Sequence, residues 1–143
     1  MVDMRQGARL LAPRLDQRQE LVLSGEPRSA RAARQFAREH VMQSEPDAAE
    51  DYVDAIVLVT SELVTNSIRY GTEPGDALAL TLHSGNGRTR IEVRDPVRRH
   101  PQPRPESHKR DRGRGLLILD GLCQWGVDDA AFGKTVWAEV IAK

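Results

Sequence analysis

The chain has 143 residues, enough for one domain with a buried core, and 39% of them are hydrophobic. Its 21 basic and 21 acidic side chains cancel, which removes any global attraction to nucleic acid, and no apolar run approaches the roughly 20 residues of a membrane span. Cys123 is the single cysteine, so no internal disulfide can form; with no apolar stretch after Met1 to act as a secretory signal, the expectation is a reducing cytoplasm.

Residues 1–18 are polar, Arg-rich and aperiodic and read as a flexible N-terminal arm ahead of a domain spanning 19–143. Glu20 to Ser24 reads as a short strand ending at Gly25. Pro27 suits the first turn of a helix, where a missing N–H costs little. Ala30, Ala33, Phe36, Ala37 and Val41 give that helix an apolar stripe at 3.6-residue spacing. Pro46-Asp47 restarts the chain into a second helix with acidic residues in its first turn, which favours the helix dipole. It runs to about Tyr70, burying Tyr52, Ile56, Val59, Leu63 and Ile68, with Gly71 as its stop signal.

Leu78, Leu80 and Leu82 alternate with Ala79, Thr81 and His83, the period of a half-buried strand. Asn86-Gly87 supplies a hairpin turn, because both residues tolerate positive φ. Ile91 and Val93 carry the return strand, with Arg90, Glu92 and Arg94 facing outward. From Pro96 to Arg112 there is no period, and four prolines forbid regular structure. A stretch of that length in so small a domain reads as a functional lid or a disordered segment. Leu116 to Leu122 reads as a short buried helix, then Cys123 to Val127 and Thr135 to Ala142 as two strands around Asp128-Asp129. Trp125 and Trp137 read as core anchors. The order β-α-α-β-β-α-β-β, with two hairpins, predicts an α+β two-layer sandwich: a mostly antiparallel sheet with helices on one face.

The chemistry concentrates in three places. Glu62 and Asn66 stand four apart on the second helix, so a carboxylate and an amide oxygen share one face. Such a pair suits a hydrated Mg²⁺, which takes oxygen ligands and binds one or two protein groups plus phosphates. A solvated acidic helix face is the plain alternative for Glu62 alone. Asp95 closes the return strand. Gly113 and Gly115 allow close backbone approach to phosphate at the start of the next helix. They sit in a segment, Arg94 to Arg114, with eight basic side chains against three acidic ones, suited to phosphate or to an acidic partner. The run Arg110 to Gly115 also fits the pyrophosphate loop of acetyl-CoA-dependent N-acetyltransferases, but that reading leaves Glu62 and Asn66 unexplained. The four histidines have no metal spacing.

Taken in order, Glu62-x-x-x-Asn66, Asp95, Gly113-x-Gly115 and Gly133-Lys134-Thr135-Val136-Trp137 resemble the GHKL ATP-binding superfamily, within it the small actinobacterial anti-sigma-factor serine/threonine kinases. The resemblance covers about Leu21 to the C-terminus. It implies a histidine-kinase-like ATPase fold that binds ATP with Mg²⁺. It implies that Glu62 orients the attacking hydroxyl, that Asn66 ligates Mg²⁺ and that Asp95 accepts a hydrogen bond from the adenine amine. By the same resemblance Gly113, Gly115 and Leu116 cradle phosphate, Thr135 lies near Asp95 and the adenine, and Arg69 reaches phosphate or ribose unless it serves a partner surface. Two departures stand out. Pro96-Val97-Arg98 replaces the usual Gly-x-Gly after Asp95. Asp111 stands where some kinases carry a basic residue, with Arg112 and Arg114 as candidates to replace it on the γ-phosphate. The implied role is a cytoplasmic switch, with a homodimer as one arrangement, that sequesters a sigma factor and phosphorylates an antagonist protein. A non-catalytic ATP-dependent binding module is the competing class.

Overall fold

Alternating strands and striped helices need each other's apolar faces, and here they assemble as two layers. The computed structural model describes residues 18–96, 121–130 and 133–143. Strand β1 (Arg18–Ser24) leads into helices α1 (Ser29–Ser44) and α2 (Glu50–Tyr70). The hairpin β2 (Ala77–Gly85) and β3 (Arg88–Asp95) follows, then β4 (Gln124–Ala130) and β5 (Gly133–Ile141). The sheet order is β1-β2-β3-β5-β4, and every neighbouring pair is antiparallel. The expected α+β sandwich is what forms.

The period-2 pattern fixes which face is buried. Leu80 and Leu82 of β2 pair with Val93 and Ile91 of β3, and Ile91 pairs onward with Ala138 of β5. All five are shielded from solvent, together with Ile56, Val59, Leu63 and Val64 of α2 and Ala33, Ala37 and Val41 of α1. Each large aliphatic side chain so placed contributes about 1.5–3 kcal/mol by leaving water. Small residues on α1 let it pack closely beside α2, with Arg34 donating to Ser61 and Arg38 pairing with Asp54 along the seam. Asn86 and Gly87 turn the hairpin at φ 56° and 69°, as their sequence required.

Several expectations shift. β1 starts at Arg18, inside the segment expected to be a loose arm. Helix α2 begins at Glu50, later than Pro46-Asp47, because Pro46 to Ala48 is used in a turn closed by Ala48 N–H onto the Glu45 carbonyl. Glu50 and Asp51 then supply the acidic first turn. β4 runs through Asp128-Asp129, and the hairpin turns after them. Trp125 does pack against the core. Trp137 instead lies on the open face of the sheet, with the Arg90 guanidinium 4.5 Å above its ring and Gly126 beneath, where any Cβ would strike the indole. Residues 97–120, including the expected lid, lie outside the described residues.

At the hairpin end, a buried polar chain crosses the layers. His40 of α1 is 1% exposed; its Nδ1 meets Gln19 Oε1 at 2.6 Å and its Nε2 meets Ser84 Oγ at 2.9 Å. Ser84 continues to Thr89 at 2.8 Å, and Thr89 to the Tyr52 hydroxyl at 2.7 Å. With the Gln19 oxygen as acceptor, Nδ1 carries the proton and Nε2 accepts from Ser84, so a neutral ring satisfies both bonds. Burial, helped by the charge of His83, pulls the His40 pKa from 6.5 down to about 4. Burial likewise pushes the Tyr52 hydroxyl up to about 12.

This sets a pH dependence. Below 6.5 the unfolded chain takes up a proton that folded His40 refuses until about pH 4, so stability falls as pH drops through that window, by up to about 3 kcal/mol. Glu45, raised by its own burial, acts in the opposite sense, so the control is a variant in the same background. Urea unfolding at pH 7 and pH 4.5 should show a large loss for the wild type and a smaller loss for His40→Gln. Equal losses would remove His40 as the cause.

Candidate functional site

At the opposite end of the sheet, three pieces of chain converge on one carboxylate. Asp95 is the last residue of β3, and alternation turns it toward the helix layer, in phase with Ile91 and Val93. There its side chain is 0% exposed. Ser67, on the last turns of α2, donates its hydroxyl to Asp95 Oδ2 at 2.9 Å. Lys134, the second residue of β5, lies directly opposite Asp95 in the register and donates its ammonium to Oδ1 at 3.0 Å and Oδ2 at 3.1 Å.

Two glycines allow this convergence. Gly71 caps α2 in an ordinary right-handed conformation, with its N–H on the Ser67 carbonyl. Its smallness is needed for space: a Cβ there would collide with the Asp95 carboxylate. Gly133 starts β5 at φ 148°, and a Cβ on it would run into the Asp95 carbonyl oxygen. The end of α2 and the start of β5 therefore press on Asp95 from both sides.

Glu62 and Asn66 sit on α2 above this point, one turn apart, and both are half-buried. Glu62 lies roughly 100° and Asn66 roughly 140° around the helix from Ser61, on the flank away from the Arg34–Ser61 contact with α1. Their donor set, a carboxylate and an amide oxygen, fits Mg²⁺ held mainly by phosphate oxygens. Arg69 is exposed and Tyr70 half-buried on the last turn. Asp95 is thus tied to this helix through Ser67, the residue that follows Asn66. Arg112, Gly113, Arg114, Gly115 and Leu116 lie outside the described residues.

Thr135 is not beside Asp95. It pairs with Arg94 and Asp128, and alternation sends its side chain to the open face of the sheet. Lys134 takes the expected place. The sequence held the signal for this: Lys134 is in phase with Val136, Ala138 and Val140, which face the core. Ser67 carried a similar signal, since it continues the buried stripe of Ile56, Thr60 and Leu63. A polar group on such a stripe needs a buried partner.

With this geometry in view, the comparison with known families is informative. The histidine kinase-like ATPase domain family matches residues 23–137, from β1 through the middle of β5. The chain belongs to this family, whose domains bind ATP with Mg²⁺. Membership sets aside the acetyltransferase reading of Arg110 to Gly115. No curated protein matches the sequence.

Gly71 gives a test of the convergence. By helix propensity alone, Gly71→Ala would stabilise by up to about 1 kcal/mol. The collision with Asp95 reverses that sign, and a loss of about 1–3 kcal/mol is expected, as for other overpacked sites. Thermal unfolding of the two proteins decides it: a higher melting temperature for the variant would mean that the helix cap is free to retreat from Asp95.

Proposed function

We propose that the chain binds Mg-ATP between α2, Asp95 and the segment 113–116, and uses it to phosphorylate a serine on an antagonist protein while regulating a sigma factor. The observation that carries the reading is the placement of Asp95 against the end of the same helix that presents Glu62 and Asn66. An adenine whose amine donates to Asp95 would lie at one end of that helix segment. Its phosphates would extend past Asn66 toward Glu62.

In this reading each side chain has a separate task. Asn66 would supply an oxygen ligand to Mg²⁺, which would neutralise phosphate charge when bound. Glu62 accepts a hydrogen bond from the attacking serine hydroxyl, aligns it with the γ-phosphorus and takes its proton as the new P–O bond forms and the bond from that phosphorus to the β,γ-bridging oxygen breaks, releasing ADP. Positioning and charge stabilisation do most of the work in such a transfer. Arginines 112 and 114 are candidates to meet the γ-phosphate. The partners, a sigma factor and its antagonist, are part of the proposal, as is a cytoplasmic location; among the described residues no helix is long and apolar enough to cross a membrane.

Two variants separate binding from catalysis. Asn66→Ala is expected to weaken Mg-ATP binding, because the metal loses its protein anchor. Glu62→Gln is expected to bind ATP nearly as the wild type does, while phosphate transfer to a co-purified antagonist falls about 10²–10⁴-fold. Transfer at the wild-type rate by Glu62→Gln would remove Glu62 from the mechanism. A wild-type protein that binds ATP but transfers nothing would make the chain a non-catalytic ATP-dependent binding module.

A further inference from the structure

We propose that Lys134 is a second base-reading residue, donating to the ring nitrogen N1 of adenine while Asp95 accepts from the neighbouring exocyclic amine. The proposal rests on the ATP-site reading of Asp95 and adds a specificity-determining partner to it.

The Lys134 side chain is 7% exposed beside a carboxylate that is fully enclosed. Stability alone gives little reason for it. An aliphatic residue would pack at this position in phase with Val136, Ala138 and Val140, and removing a lysine and an aspartate from water carries a cost that their attraction only partly returns. A buried pair of opposite charge beside the proposed ATP site has a functional rationale instead.

The donor arithmetic fits a base. An ammonium has three N–H donors and no acceptor. Two point at Oδ1 and Oδ2 of Asp95, which leaves one for a ligand. The pair thus offers an acceptor and a donor side by side. Adenine presents the complementary edge, an amine donor at C6 next to an acceptor at N1. Guanine in the same pose would set its O6 against the carboxylate and its N1–H against the ammonium, two contacts of like with like. Of the described residues against Asp95, Gly71 and Gly133 bring only backbone and Ser67 is short. Lys134 has a flexible four-carbon stem, able to adjust as a base enters.

The test uses analogues that change one edge atom at a time. The wild-type protein is titrated by calorimetry with Mg-ATP, with the 1-deaza analogue (N1 replaced by C–H, amine kept) and with purine riboside triphosphate (amine absent, N1 kept). The 1-deaza analogue should bind about tenfold more weakly than ATP, the loss of one charge-assisted hydrogen bond. Lys134→Met should bind ATP and the 1-deaza analogue equally, and the wild-type comparison stands even if that variant does not fold. Equal wild-type affinity for ATP and the 1-deaza analogue, with the amine-free analogue weaker, overturns the role of Lys134 alone. Failure of the wild type to bind any of the three overturns the ATP-site reading beneath it.

Discussion

The site depends on a buried charge held in place from three directions. Asp95 ends a strand, and its carboxylate would be costly there without partners. Ser67 reaches it from α2, and Lys134 from β5. These bonds tie the C-terminal end of α2 to the end of the sheet. The absence of a side chain at Gly71 lets the helix come close enough. Because Glu62, Asn66 and Ser67 share one rigid helix, fixing Ser67 against Asp95 also fixes where the other two stand. A shift of one residue along α2 would turn the whole group away.

The molecule uses polar burial differently at its two ends. At the hairpin end, His40, Ser84, Thr89 and Tyr52 form a chain of uncharged hydrogen bonds that joins α1, the hairpin and the start of α2. A neutral imidazole and three hydroxyls satisfy one another there, and the one carboxyl that joins them, Glu45 beside Tyr52, is pushed by burial toward its neutral form. At the other end the polar groups are ionic, and an ion pair left near a ligand site retains the ability to meet a polar ligand. Between the two ends lies an aliphatic core shared by both helices and the central strands. That core makes the separation of the ends rigid.

Much of this was legible in the sequence because the periods are clean. The apolar stripes set both helices, Leu80 and Leu82 set the buried face of β2, and Asn86-Gly87 set the hairpin. Glu62, Asn66 and Asp95 stood out by order and type. What the sequence reading missed was a matter of phase and closeness. Motif position alone favoured Thr135 over its neighbour, whereas counting along β5 in twos places Lys134 on the core side. Gly71 reads in the sequence as a helix stop; only the packed structure shows that it also makes room for Asp95. Trp137 reads as a core anchor because it is a Trp at strand spacing, yet it lies on the open face beneath Arg90, over Gly126. Strand alternation would have separated it from Trp125 once their cross-strand register was known.

The central claim is that Asp95, enclosed by Ser67, Gly71 and Lys134, selects an adenine nucleotide whose phosphates reach Mg²⁺ at Asn66. Calorimetric titration of the full chain with ATP and with GTP, each with and without Mg²⁺, tests it most directly. The account predicts measurable ATP binding that strengthens with Mg²⁺ and at least about tenfold weaker GTP binding, since a carboxylate acceptor rejects the guanine O6. Equal affinity for the two nucleotides, or ATP binding indifferent to Mg²⁺, would contradict it.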